Sequence, residues 1–172
     1  MPTSAEATIA RTGRILVGGV GYRNLRDLSA GPLLTERIGA VGDLVEVEDL
    51  SYGPIDVLFA LQKREPYRAA ILVTAVARGR EAGTVTRMTW DAPAISAEAL
   101  QERVAEAVTG VISLENLLYI CGHFGALPER VVLIEIEPAE EEWGEALSAA
   151  GQTAMDSAIA LVHLEIAELL AP

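Results

Sequence analysis

The 172-residue sequence predicts one α/β domain: a mostly parallel sheet of about five strands with helices on both faces. Two observations carry that expectation. The runs Ile15-Leu16-Val17 and Ile71-Leu72-Val73 are apolar without alternation, which suits strands buried on both faces. Segments of helical period lie between the strand-like runs, and that alternation leads to parallel strands joined by helical crossovers. Hydrophobic residues make up 51% of the chain and aromatics only 5%, so Val, Ile, Leu and Ala have to build the core.

The elements follow in order. Met1 to Thr12 is polar and contains Glu6; it lacks the basic start and apolar centre of a signal peptide and reads as a flexible tail before a single domain over 13–172. Arg14 to Gly21 is the first strand, ended by glycines. After a loop from Tyr22 to Ala30, Gly31-Pro32 opens a short helix, with proline in the tolerated first turn. That helix carries Leu33, Leu34 and Ile38 and stops near Gly39 or Gly42. Leu44 to Glu48 alternates apolar and acidic residues, as a more exposed strand does. Pro54 to Gln62 is a helix with Ile55, Leu58, Phe59 and Leu61 as its apolar face. Ala69 to Ala77 is the third strand, and Thr84 to Trp90, β-branched and alternating, is an edge strand. Ser96 caps a long helix in which Leu100, Val104, Ala107, Val111, Leu114, Leu118 and Cys121 recur at helical spacing, until Gly122 and Gly125 end it. Val131 to Ile136 is the last strand. Gln152 to Leu170 closes the chain as a helix facing inward with Met155, Ile159, Val162, Ile166 and Leu169.

Charge narrows the function. The net charge of −12, from 25 acids and 13 bases, disfavours binding to nucleic acid, whose phosphates need a basic face. No apolar stretch reaches the roughly 20 residues that span a bilayer, so no membrane insertion is expected. Cys121 is the single cysteine, which precludes an intrachain disulfide and suits a reducing compartment; the cytoplasm is the expected location. Cys121 itself reads as packing, and the run Glu140-Glu141-Glu142 as a solvated loop.

In open α/β sheets ligands bind beyond the carboxyl ends of the strands. That directs attention to the loops after Gly21, Glu48, Ala77 and Ile136 and to the start of the long helix. The glycines Gly18, Gly19 and Gly21 invite a dinucleotide reading, but Asn24 stands where the fingerprint needs glycine or alanine, and the next helix begins about ten residues after Gly21. No Gly-x-Ser-x-Gly elbow is present. His123 and His163, the two histidines, have neither the spacing nor the cysteine partners of a structural zinc site. No catalytic residue, cofactor or metal ligand is assigned from the residues themselves.

The order of elements and their local wording resemble one family. Arg14-Ile-Leu-Val-Gly-Gly-Val-Gly-Tyr-Arg-Asn-Leu-Arg-Asp-Leu-Ser-Ala-Gly31 is similar to the opening of the hydrogenase maturation proteases, whose strand runs into Gly-x-Gly-Asn and then a pair of acids. Glu48-Asp49 before Ser51-Tyr52-Gly53, Ile71 to Val76, Ala82 to Val85, Gly125 to Pro138 and Glu142 to Ser148 resemble later segments of the family in the same order. The resemblance implies an endopeptidase that trims the C-terminus of a nickel–iron hydrogenase large subunit. Cleavage there is directed by the substrate's nickel, held by an acid of the first loop, an aspartate ending the third strand and a histidine near the long helix. Two carboxylates and an imidazole are a sound donor set for such a metal.

Carried over by position, that set is absent. With Gly31 as anchor the first ligand falls on Leu28, although a one-residue shift would place Asp27 there. The second falls on Thr74, and no acid lies between Glu65 and Glu81. The third falls near Gly110, and no histidine precedes His123, about 20 Å further along a continuous helix. The candidate cleft is therefore Asp27, Leu28, Asp49, Thr74, Gly110 and Glu115. The favoured expectation is a non-catalytic relative that binds a hydrogenase large subunit or another assembly factor. Two readings stay open beside it: an active endopeptidase with a rearranged site using Asp27, Asp49 or Glu115, and a small-molecule or nucleotide-binding domain.

Overall fold

The two apolar runs lie side by side at the middle of the sheet, and every residue in them is buried. The computed structural model describes residues 13–171, so the expected tail from Met1 to Thr12 lies outside the described residues. The strands are β1 (Ile15–Val20), β2 (Val45–Asp49), β3 (Ala69–Ala75), β4 (Val85–Trp90) and β5 (Val131–Ile136). The helices are α1 (Ala30–Arg37), α2 (Pro54–Gln62), α3 (Ala97–Val108), α4 (Leu114–His123) and α5 (Ala149–Leu170), with a 3₁₀ turn at Arg26–Ser29. The spatial order is β2-β1-β3-β5-β4. β1 pairs in parallel with β2 and β3, β3 pairs in parallel with β5, and β4 closes one edge antiparallel to β5. The expected α/β sheet of five mostly parallel strands is the one found.

Strand alternation divides the core in two. Ile15, Val17, Ile71, Val73 and Ile134 face α1 and α5, where they meet Leu34, Met155 and Val162. Leu16, Leu72 and Leu133 face the opposite way, toward Val57, Leu117 and Ile120 of α2 and α4. Because both faces are covered, neither central strand shows a polar alternation. The approach of α1 to β1 is close: a Cβ on Gly19 would stand 2.1 Å from the carbonyl oxygen of Gly31. Gly19 thus serves helix–strand packing.

Two expectations need correction. The single long helix from Ser96 is two helices, because the chain turns at Gly110 with φ +91°, a conformation glycine tolerates and a helix cannot contain. Ser96 does cap α3, accepting a bond from the Ala99 N–H, and a second cap follows at Ser113, which accepts from Asn116. The helical spacing of apolar residues carries across the break because α3 and α4 contribute to the same layer. Phe59, expected on the apolar face of α2, is 54% exposed, and Val57 takes its inward place.

Candidate functional site

β1 leads to β2 on one side, while β3 lies on the other, so the loops after β1 and β3 part at their carboxyl ends. A cavity of about 320 Å³ opens at this divergence. Its walls are Gly21, Tyr22 and Leu28 from the first loop, Thr74 to Arg78 at the end of β3, and Ile112 to Glu115 at the start of α4. Hydrogen bonds fasten the walls together. Gly21 N–H donates to Ser51 Oγ at 3.1 Å, and Ile112 N–H donates to the Tyr22 hydroxyl at 2.9 Å.

Of the six candidate residues, Leu28, Thr74 and Glu115 line this cavity. The structure places the other three elsewhere. Asp27 is fully buried, and its carboxylate accepts from the N–H groups of Ala139, Glu140 and Ser148 at 2.8, 3.1 and 2.8 Å and from Ser148 Oγ at 2.7 Å. It holds the loop between β5 and α5 against the first loop. Burial works to raise the Asp27 carboxyl, but the bonds from Ser148, Ala139 and Glu140 outweigh it, and the group titrates below its ordinary value. Asp49 is paired with Arg23 at 2.7 Å and accepts from the Ser51 N–H at 3.0 Å. Its carboxyl also lies below the usual range: burial opposes the shift, and Ser51 and Arg23 bring it about. Gly110 borders a neighbouring hollow with Tyr52, Ile55 and Val108.

Sequence reasoning missed the groups that shape the cavity's charge. Arg78 reaches Glu115 at 2.9 Å and Glu135 at 2.8 Å, and Arg80 reaches Glu135 at 2.7 Å. The Glu135 side chain is only 2% exposed, so these two guanidinium groups are what keep it ionised; burial alone would raise it. Glu137 accepts from the N–H groups of Arg78 and Gly79, which fixes the loop that leaves β3. The legible signal was the alternation Ile134-Glu135-Ile136-Glu137 in a buried strand, since buried acids demand cations.

No protein-family profile matches the chain, and no curated protein matches it in sequence. Solved structures do. A hydrogenase 2 maturation peptidase from a Thaumarchaeota archaeon is 25% identical, with 91% of this chain and 99% of that one covered, at a TM-score of 0.63. The chain is a structural relative of the hydrogenase maturation proteases. The hydrogenase maturating endopeptidase HybD from E. coli superposes with a TM-score of 0.68 at 21% identity, over 90% of this chain and 93% of that one. The [NiFe] hydrogenase maturation protease HycI from Thermococcus kodakarensis covers 98% of this chain and 99% of its own, with a TM-score of 0.62 at 19% identity. The family read from the wording of the sequence is the family whose fold the chain has.

The residues present do not fit the nickel-holding set that the resemblance implies. Leu28 offers the cavity a hydrocarbon, and Thr74, a residue 5% exposed, turns its hydroxyl to the carbonyl of Ala75. Glu115, the cavity's carboxylate, is shared by Arg78 and Arg103. Among the described residues no three His, Cys, Asp or Glu side chains are grouped closely enough to hold a metal ion. His123 ends α4, whose first turn lines the cavity, so it stands roughly 13 Å away along the helix axis. His163 lies on α5 and bonds the Ile38 carbonyl at 2.9 Å. Cys121 is fully buried, and burial pushes its thiol up to about 12, so no thiolate is on offer. Among the described residues, no helix is long and apolar enough to cross a membrane.

Proposed function

We propose that this chain acts in the maturation or assembly of a nickel–iron hydrogenase as a binding protein, without metal-directed cleavage. Its partner is the hydrogenase large subunit, the precursor of that subunit, or another assembly factor, met in the cytoplasm. The observation that carries the reading is the lining of the crevice. The framework matches proteins named as hydrogenase maturation peptidases. Within it, Leu28 and Thr74, which the sequence resemblance aligns with the first two ligand places, line the crevice, and the nearby carboxylate is paired with arginines. Such a cavity favours an apolar group of a partner over a cation.

Co-purification tests it. The tagged chain, produced with the large-subunit precursor and the assembly factors of a nickel–iron hydrogenase, is expected to retain one of them in a stoichiometric complex. Val76 lies at the wall of the crevice and is half-buried. A Val76→Arg variant, which puts a long cation into the crevice, is expected to lose that complex at least tenfold while remaining folded by circular dichroism. Retention of no hydrogenase component by the unmodified chain overturns the reading.

A further inference from the structure

Among the described residues the sheet has two open edges, and they differ. β2 carries Glu46, Glu48 and Asp49, each paired with an arginine: Arg14 and Arg64 for Glu46, Arg64 for Glu48, and Arg23 for Asp49. A row of charges along an edge strand discourages addition of another strand. β4 carries one charge, Arg87, and Glu165 of α5 takes it up through two bonds of 2.7 and 3.0 Å. The rest of β4 is uncharged: Val85, Thr86, Met88, Thr89 and Trp90. Among the described residues β4 pairs only with β5, so its outer row of backbone groups has no strand partner.

Two hollows open beside that edge, on the face covered by α4. One of about 220 Å³ lies between Met88, Trp90, Leu118 and Tyr119. The next, of about 320 Å³, lies between Trp90, Ile95, Tyr119 and Gly122. Trp90 and Tyr119 belong to both and stand edge-on at 6.4 Å, forming the ridge between them. A strand added to β4 would present every second side chain to this face, at intervals of about 7 Å. Two apolar side chains of such a strand would meet two ready hollows, which is how strand-addition sites acquire specificity.

Charge says what the strand is. Asp91, between Trp90 and Ala92 of the larger hollow's wall, and Glu102, next to Arg103 of the smaller one's, are exposed, as is Glu98 of α3. Both cations at the smaller hollow are taken up: Arg103 lies 4.7 Å over the Tyr119 ring and is bonded to Asn116 and Glu115, and Arg78 is paired with Glu115 and Glu135. A second copy of this chain would bring a further −12 and the same acids to the contact. A segment with lysine or arginine at its ends complements the border instead.

We infer that the β4 edge is a docking site for an extended, basic segment of a partner protein, added as a sixth strand with alternate apolar side chains in the two hollows. The smaller hollow shares Arg78, Leu114 and Glu115 with the wall of the Leu28–Thr74 crevice, whereas β4 and the larger hollow share no residue with it, so the inference stands whether or not the proposed function does. The probe is a capped synthetic peptide of eight residues that alternates valine, phenylalanine or leucine with threonine and ends in lysines. Hydrogen exchange of the full chain is followed with and without it. Saturable binding is expected, with at least tenfold slower exchange at outer amides of β4 and no change at Leu28 or Thr74. Replacing the lysines by glutamates, or alternate threonines by prolines, is expected to weaken binding at least tenfold, as is Trp90→Ala in the chain. Binding that protects no amide of β4, or no binding, overturns the inference. So does protection of the same amides by self-association in the absence of peptide, which would make a second copy the occupant.

Discussion

The Asp27 carboxylate accepts four hydrogen bonds from Ala139, Glu140 and Ser148, more than a hundred residues further along the chain. An acid beside the first-loop ligand place is therefore committed to structure. The sequence made Asp27 a candidate because its neighbours in the chain match the family's acid pair; nothing local reveals partners at that distance. Asp27→Asn leaves one N–H of the anchored loop facing another donor, and it is expected to cost about 2–3 kcal/mol in urea unfolding. The sign of its pH dependence follows from a folded-state carboxyl below its unfolded value. The stabilisation is complete above the unfolded carboxyl range and is lost as pH falls through the folded one. Unfolding curves from pH 7 to 3 should show the unmodified chain losing stability more steeply than Asp27→Asn. Arg78 is the second case. It was invisible as a functional group in the sequence because its partners, Glu115 and Glu135, lie on two other elements. Arg78→Ala leaves the buried Glu135 with Arg80 alone and is expected to cost about 1–3 kcal/mol, discounted for the guanidinium's own exposure.

Among the elements, strands were the most legible and the joint between α3 and α4 the least. β5 and α2 have the bounds that apolar pattern and proline placement suggest, Val131–Ile136 and Pro54–Gln62. The α3–α4 break carried its own signals, Gly110 as a stop and Ser113 as a new cap. They were overridden by apolar spacing that continues across it, because both helices pack on one layer. The break matters to function, since it turns Ile112 to Glu115 into the crevice wall. Gly110→Ala has free space for its methyl group but keeps a φ of +91°, so strain alone should cost about 1–2 kcal/mol. Gly19→Ala is the opposite case. Its added carbon meets backbone at 2.1 Å, and a loss of more than about 3 kcal/mol, or failure to fold, is expected. Melting temperatures of the two variants separate strain from collision.

At the scale of the molecule, the framework is shown and the chemistry is what the proposal adds. The fold matches structures of maturation peptidases over nine-tenths of the chain. The fold was legible because burial of a parallel sheet imposes a continuous apolar pattern on sequence. Of the crevice, Leu28, Thr74 and Glu115 were legible as candidates from their positions in the sequence. Arg78, and Glu135 behind it, emerged only from tertiary contacts. The central claim is that this framework binds without nickel-directed cutting. The most direct measurement is the mass of a nickel-loaded large-subunit precursor after incubation with the chain, beside a maturation protease known to trim it. The account predicts full precursor mass with this chain and a shortened product with the protease. A precursor shortened by this chain at the same bond would contradict it.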